Sequence, residues 1–177
     1  MSKESKSSLI IALSAVFVAL TAVLTYLPGL ALPSPTGDST HMGDTIIFIA
    51  GLLFGSRFGL VVGLVGPGVA DFLRHYPLHY PTLYVTLVAY GLEGFIVGMG
   101  AKKRFKVQLM MMVIGGLVMS FTHFVVNVYV KGLAPAVASL IRDVFGQTLV
   151  SIILASLLLK PLEKIAVIKR VQEVILG

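Results

Sequence analysis

Long apolar runs separated by short polar interruptions dominate the chain. A helix that crosses a bilayer needs about 20 mostly apolar residues, and six segments are candidates: 9–27, 44–56, 58–73, 83–101, 107–130 and 134–159. The second and third are short, and the third is glycine-rich. Pro28-Gly29 stops the first run, and residues 160–177 read as a polar tail. Alternating strands of about ten residues, the signature of a membrane barrel, are absent. Backbone groups in lipid must be satisfied within their own segment, so the runs predict helices. The expected architecture is an all-α integral membrane protein, one membrane domain over 1–177 built as a bundle of six transmembrane helices.

Composition supports the pattern. Hydrophobic residues make up 56% of the 177 residues and charged residues 12%, against roughly 45–50% and 25% in soluble domains. Mean hydropathy is +0.95. A soluble fold of this size would lack the polar side chains to cover its surface, which excludes a soluble globular domain, a disordered chain and a nucleic-acid-binding module. There is no cysteine, hence no disulfide, thiolate metal site or thiol nucleophile. Lys3 and Lys6 precede the first run as in a signal peptide, but the run reaches spanning length and no convincing cleavage site follows. It reads as a retained helix.

The net charge of +6 matters through its placement. With six spans, one side of the membrane carries Lys3, Lys6, Arg57, Lys102, Lys103, Arg104, Lys106, Lys160, Lys164, Lys169 and Arg170, which is eleven of the 14 Lys and Arg residues. The other side has Arg74 and Lys131, with Arg142 inside the sixth run. The positive-inside rule therefore predicts that both termini are cytoplasmic. On the outer face, the connection 28–43 is long and rich in Pro and Gly, in the manner of a lid or a disordered loop. The connection 75–81 concentrates His75, Tyr76, His79 and Tyr80.

Gly51, Gly55, Gly59 and Gly63 recur every four positions, with Gly66 and Gly68 beyond. Small residues at this spacing let helices approach closely in lipid, and the expectation is tight packing of the second and third spans. Ala12, Ala15, Ala19 and Ala22 line one face of the first helix, a smooth stripe suited to internal packing or to docking another membrane subunit.

Ionisable groups at bilayer depth are costly and mark function. Glu93 lies roughly 15 Å into the fourth helix and His123 about 10 Å into the fifth, counted at 1.5 Å per residue from their outer ends. Asn127 is one turn above His123. Arg142, Asp143 and Gln147 enter the sixth helix from the same outer side, and Asp71 and Arg74 close the third. These residues converge on one outward-facing polar cavity, or else pair off structurally as Asp71–Arg74 and Glu93–Arg142.

No G-x-S-x-G, H-E-x-x-H, mid-span aspartate pair or metal set is present, and Ser120 with His123 lacks an orienting acid and an oxyanion donor. Catalytic residues, metal and cofactor are therefore not expected. There is no Walker motif, no repeating pore-lining pattern and no internal repeat of an autonomous transporter. A binding subunit that takes its energy from partners fits the small size best. The competing class is a structural or assembly subunit of a membrane complex without a small ligand.

The series His41-Met42-Gly43-Asp44-Thr45, Ile46–Gly55 with Gly51 and Gly55, then Gly59, Gly63, Gly66, Ala70-Asp71 and Tyr90-Gly91-Leu92-Glu93-Gly94-Phe95-Ile96-Val97-Gly98 resembles the S components of energy-coupling factor (ECF) vitamin transporters, and is most similar to the riboflavin-type group. The resemblance covers the first four spans well and the last two loosely. It implies a six-helix protein of the prokaryotic plasma membrane that captures a water-soluble vitamin with high affinity. Its partners would be a transmembrane coupling protein and two ABC-type ATPases, which hydrolyse the ATP. The family's A-x-x-x-A motif matches Ala15 and Ala19 and turns the alanine stripe toward partner docking. The connection 28–43 corresponds to the family's lid.

In thiamine-binding members, a Glu of the fourth helix and a His of the fifth contact the aminopyrimidine, and Glu93 and His123 resemble those positions. A buried carboxylate also suits a cationic or protonated ring. The chain has no Trp, and the aromatic set of the thiamine binders is matched only by Tyr84 and Tyr90. The expected substrate-binding set is Glu93, His123, Asn127, Tyr90, Tyr84, Arg142, Gln147 and Asp71. Riboflavin and a thiamine or hydroxymethylpyrimidine ligand stand level as substrates.

Overall fold

The computed structural model describes residues 3–27, 32–33, 39–74 and 81–177. Helices follow in order as α1 (Lys3–Tyr26), α2 (Gly43–Phe54), α3 (Ser56–Leu73), α4 (Pro81–Gly98), α5 (Phe105–Lys131), α6 (Leu133–Ile141), a π-helical segment (Arg142–Thr148), α7 (Leu149–Lys164) and α8 (Ala166–Leu176). Between α1 and α2, the two-residue strands β1 (Leu32–Pro33) and β2 (Ser39–Thr40) pair antiparallel, Leu32 opposite Thr40. Residues 28–31 and 34–38 of that connection, and the His75 to Tyr80 aromatic cluster, lie outside the described residues.

Among the described residues, four helical stretches are long and apolar enough to cross a membrane: Glu4–Tyr26, Ser56–Leu73, Phe105–Lys131 and Leu133–Lys164. Gly43–Phe54 and Leu83–Gly98 are apolar but shorter. The shortness of α2 has a packing explanation. Its apolar residues run all round the helix, and every residue but Ile46 is buried, as expected of a helix sheathed by protein. Ile47, Phe48, Leu52 and Leu53 form the centre of the core, against Val62, Tyr90, Val97, Met112 and Met119. Outside, Ile11, Val16, Phe72, Val88, Phe145 and Leu157 are exposed. That apolar coat would be a liability in water and is the natural surface in lipid.

The glycine series packs differently from the sequence expectation. Rather than serving chiefly the second and third spans, it presses α3, and α2 with it, against α4. A Cβ on Gly59 would run into the carbonyl of Gly94, one on Gly63 into the carbonyl of Tyr90, and one on Gly51 would stand 3.0 Å from Gly94 O. The partner glycines Gly94 and Gly98 belong to the later G-x-x-x-G, so spacing within one run could not show which helix the ridge faces.

Two further expectations need correction. The sixth run is not a regular helix over 134–159. It extends through Leu133–Lys164 with a π-helical interruption, and Gly132, at φ 86°, is all that separates it from α5. Residues 160–177 are not simply a polar tail either. α8 buries Val171 and rests Ile168 and Ile175 on the core, while Gln172 Nε2 donates to the Leu53 carbonyl at 3.1 Å. That bond satisfies a carbonyl at the end of α2. The apolar positions of α8 recur at helical spacing, but Lys169, Arg170 and Glu173 between them masked the amphipathic pattern.

Candidate ligand-binding site

The site begins with the entry into α2. Asp44 sits in the first turn of that helix, where a carboxylate faces free backbone N–H groups, and it is fully buried. Gln147 reaches it from the π-helical segment: Nε2 lies 3.0 Å from both carboxylate oxygens and donates also to the Tyr90 hydroxyl at 2.9 Å. The Tyr90 hydroxyl is 3.1 Å from His41 Nε2. The Gly43 backbone N–H donates to His41 Nδ1 at 3.3 Å, which assigns the neutral ring proton to Nε2, facing the phenol. His41 Nδ1 is 3.8 Å from Asp44 Oδ1. Burial pushes the His41 imidazole down to about 3, and Arg74, His123 and Arg142 act in the same direction. The ring is therefore neutral at physiological pH.

Close helix approach brings these groups together. Gly43 leaves room for Thr25 and His41, Gly63 seats the Tyr90 backbone, and Gly115 lies against Glu93, where a Cβ would stand 3.1 Å from its carbonyl oxygen. Gly116 does the same for Thr148. The π-helical turn matters because its wider winding shifts the register of the side chains that follow. Asp143, Gln147 and Thr148 all face inward from it.

Glu93, one turn along α4 from Tyr90, is completely buried, and neither carboxylate oxygen has a hydrogen-bond partner among the described residues. Such a group is expensive to leave unmade. The expected alternative, a Glu93–Arg142 ion pair, is not what forms: Arg142 binds Asp143 through Nε at 2.9 Å and through its terminal nitrogen at 2.7 Å. His123 packs edge-on to Tyr90, ring centroids 5.3 Å apart. Its Nδ1 donates to the Met119 carbonyl at 3.2 Å, so the neutral ring carries an acceptor at Nε2. Asn127 is buried one turn further.

Of the expected residues, the fold thus gathers Tyr90, Glu93, His123 and Gln147, with Arg142 close enough for its charge to act on His41 and Asn127 buried one turn beyond His123. Tyr84 does not join them: it is 59% exposed on another face of α4. Asp71 pairs with Arg74, 4.0 Å away, and Arg74 also donates to the Thr25 carbonyl. That group ties the ends of α3 and α1. Sequence reasoning missed His41 and Asp44 as members of the cluster. Their signal was an aspartate opening an otherwise apolar helix, with a histidine three residues before it.

Asp44, Tyr90, Glu93 and Gln147 thus form a buried polar cluster inside an apolar-coated helical bundle; among the described residues no group of His, Cys, Asp or Glu suits a metal ion. The family model for the ECF-type riboflavin transporter S component matches residues 5–164, and the chain belongs to that family. Among solved structures, the chain is similar to the S component for biotin from an ECF-type ABC transporter, with a TM-score of 0.65 and 19% identity over 94% of this chain and 96% of that one. This likeness shows the shared fold. No curated protein matches the chain.

Proposed function

We propose that this S component captures a water-soluble vitamin or vitamin precursor from the outer side of the prokaryotic plasma membrane, in the cluster of Asp44, Tyr90, Glu93, His123, Asn127 and Gln147. All six apolar segments cross the membrane in this reading, with both termini cytoplasmic. The observation that carries it is the fully buried carboxyl group of Glu93, without a hydrogen-bond partner among the described residues. A carboxylate presents two acceptors side by side, and a ligand with two adjacent N–H donors satisfies both at once. An aminopyrimidine protonated on the ring nitrogen beside its amino group offers that edge, and His123 Nε2 and the Tyr90 ring supply a further acceptor and a stacking face. Thiamine or its hydroxymethylpyrimidine precursor is the substrate this chemistry favours.

Riboflavin is the second reading. The name of the matching family favours it, and its ribityl hydroxyls are donors that Asp44 and Glu93 can accept. In both readings a transmembrane coupling protein docks at the exposed Ala15 and Ala19 of α1, and two ABC-type ATPases supply the energy.

Mass spectrometry of small molecules released from the detergent-purified protein, with titration against a vitamin panel, tests the proposal. A stoichiometric pyrimidine or flavin bound by the native chain and lost in Glu93→Gln is the expected result. A folded protein that binds nothing on the panel would overturn it in favour of a structural subunit.

A further inference from the structure

A second feature lies away from the polar cluster. Between α5 and α7 runs an open groove of about 500 Å³, walled by Phe105, Leu109, Ile153 and Leu157 and closed at one end by Lys160, with Ser156 one turn before it. Lys160 Nζ sits 5.3 Å from the Phe105 ring centroid. Leu157 is 67% exposed and Ile153 52%, so the floor faces the surroundings of the bundle and not its core.

We propose that this groove is a binding site for an anionic phospholipid, with the phosphate at Lys160 and one acyl chain along Leu109, Ile153 and Leu157. Charge complementarity selects the headgroup. Lys102, Lys103, Arg104 and Lys106 surround Phe105 in sequence and Lys164 follows Lys160, with Glu163 the acid on the same stretch. Basic side chains gathered at a membrane surface attract anionic lipid, and a lysine at a helix end lays its stem along apolar surface while its ammonium reaches the headgroups. The Phe105 ring holds that ammonium over the groove mouth instead of letting it sweep through solvent.

Ser156 distinguishes a phospholipid from a fatty acid. Its hydroxyl is buried and has no hydrogen-bond partner among the described residues. Four residues from Lys160, it lies about 6 Å deeper along the helix axis. A phospholipid carries an ester carbonyl acceptor at about that depth below its phosphate, and a χ1 rotation turns the hydroxyl to meet it. A fatty acid would present one carboxylate to Lys160 and leave Ser156 unmatched.

The test is native mass spectrometry of the full chain extracted from bilayers of equimolar phosphatidylglycerol and phosphatidylcholine with palmitate added. The native protein is expected to retain phosphatidylglycerol about fivefold over phosphatidylcholine, the preference that one lysine near the surface supplies. Lys160→Gln should reduce that ratio to near one. Equal retention of the two phospholipids, an unchanged ratio in Lys160→Gln, or palmitate held as well as phosphatidylglycerol would overturn the proposal. If Lys160→Gln does not fold, Leu157→Trp, which fills an exposed position on the floor, decides: the preference is lost with the groove, or it persists and the site is wrong.

Discussion

Gln147 and Tyr90 meet at 2.9 Å across 57 residues of sequence, and the same amide nitrogen lies 3.0 Å from both oxygens of Asp44. One side chain on the π-helical segment therefore holds together the start of α2 and the middle of α4. Gln147→Leu removes the donor and leaves the Asp44 carboxylate buried without it. Loss of a partner to a buried charged group costs about 3 kcal/mol. Thermal unfolding in detergent should show that loss for Gln147→Leu, and a much smaller one for Asp44→Asn, which keeps an acceptor facing Gln147. Equal losses would mean that the Gln147 contact carries little.

Glu93 predicts the opposite balance between stability and binding. Its carboxyl group has no hydrogen-bond partner to lose among the described residues, so Glu93→Gln should leave the melting temperature unchanged or raise it, since a buried ionisable group without a partner opposes folding. Affinity for the ligand should fall roughly 10- to 100-fold, the worth of a charge-assisted hydrogen bond. Isothermal titration beside a thermal melt separates the two effects. A marked loss of stability with unchanged affinity would make Glu93 a structural residue.

Much of this arrangement was legible in the sequence, and the exceptions have physical causes. Apolar run length marked where helices fall, because lipid permits few alternatives for the backbone, but α1 starts earlier, at Lys3, and α7 runs on to Lys164. Glu93, His123 and Gln147 stood out because polar groups inside such runs are rare. Helix–helix pairing was not legible: Gly59 and Gly63 signalled close packing, but which helix they face depends on their partners Gly94 and Tyr90 in space. Nor did any local signal announce the π-helical turn. Arg142, its first residue, bonds its neighbour Asp143 and not Glu93, which pairing by sequence depth could not anticipate.

The α3–α4 crossing makes a sharp prediction about glycines four residues or fewer apart. Gly94 opposes the Gly59 backbone with no room for a Cβ, whereas a Cβ on Gly91 would meet only Leu60 and Leu64 side chains at 3.4 Å. Gly94→Ala should destabilise by about 1–3 kcal/mol, the usual cost of overpacking, because a backbone cannot swing aside. Gly91→Ala should be neutral or slightly stabilising, since alanine favours the helix by about 1 kcal/mol. Parallel melts of the two variants check it, and similar behaviour of both would contradict the crossing.

His41 gives the fold a dependence on pH. Its imidazole is held down at about 3 in the folded chain against about 6.5 when unfolded. Between those values the unfolded state takes up a proton that the folded state refuses. The stability contributed by neutral His41 is therefore complete above pH 6.5 and declines as pH falls, by about 1.4 kcal/mol per unit. Unfolding measured from pH 7 to 5 should show that slope as a difference between the native chain and a His41 variant, because the buried carboxyl groups of the cluster titrate in both. His41→Gln, which keeps a side chain of similar reach toward Tyr90, should flatten it; a slope unchanged in that variant would assign the effect elsewhere.

The alanine stripe of α1 separates binding from transport. Ala12, Ala15 and Ala19 are exposed, whereas Leu13 and Phe17 on the opposite face pack on the core and Phe17 meets Phe54 and Phe58 at ring distances of 5.6 Å. Enlarging Ala15 or Ala19 therefore adds bulk to the lipid-facing side and leaves the interior untouched. Stability and ligand affinity of Ala15→Leu and Ala19→Leu should match the native chain. Close approach of another helix, which small residues permit, should fail. Co-expression with a transmembrane coupling protein and its ATPases, followed by pull-down and uptake of labelled vitamin, should then show lost assembly and lost uptake with binding intact. Uptake at the native level in both variants would place the coupling contact on another face of the bundle.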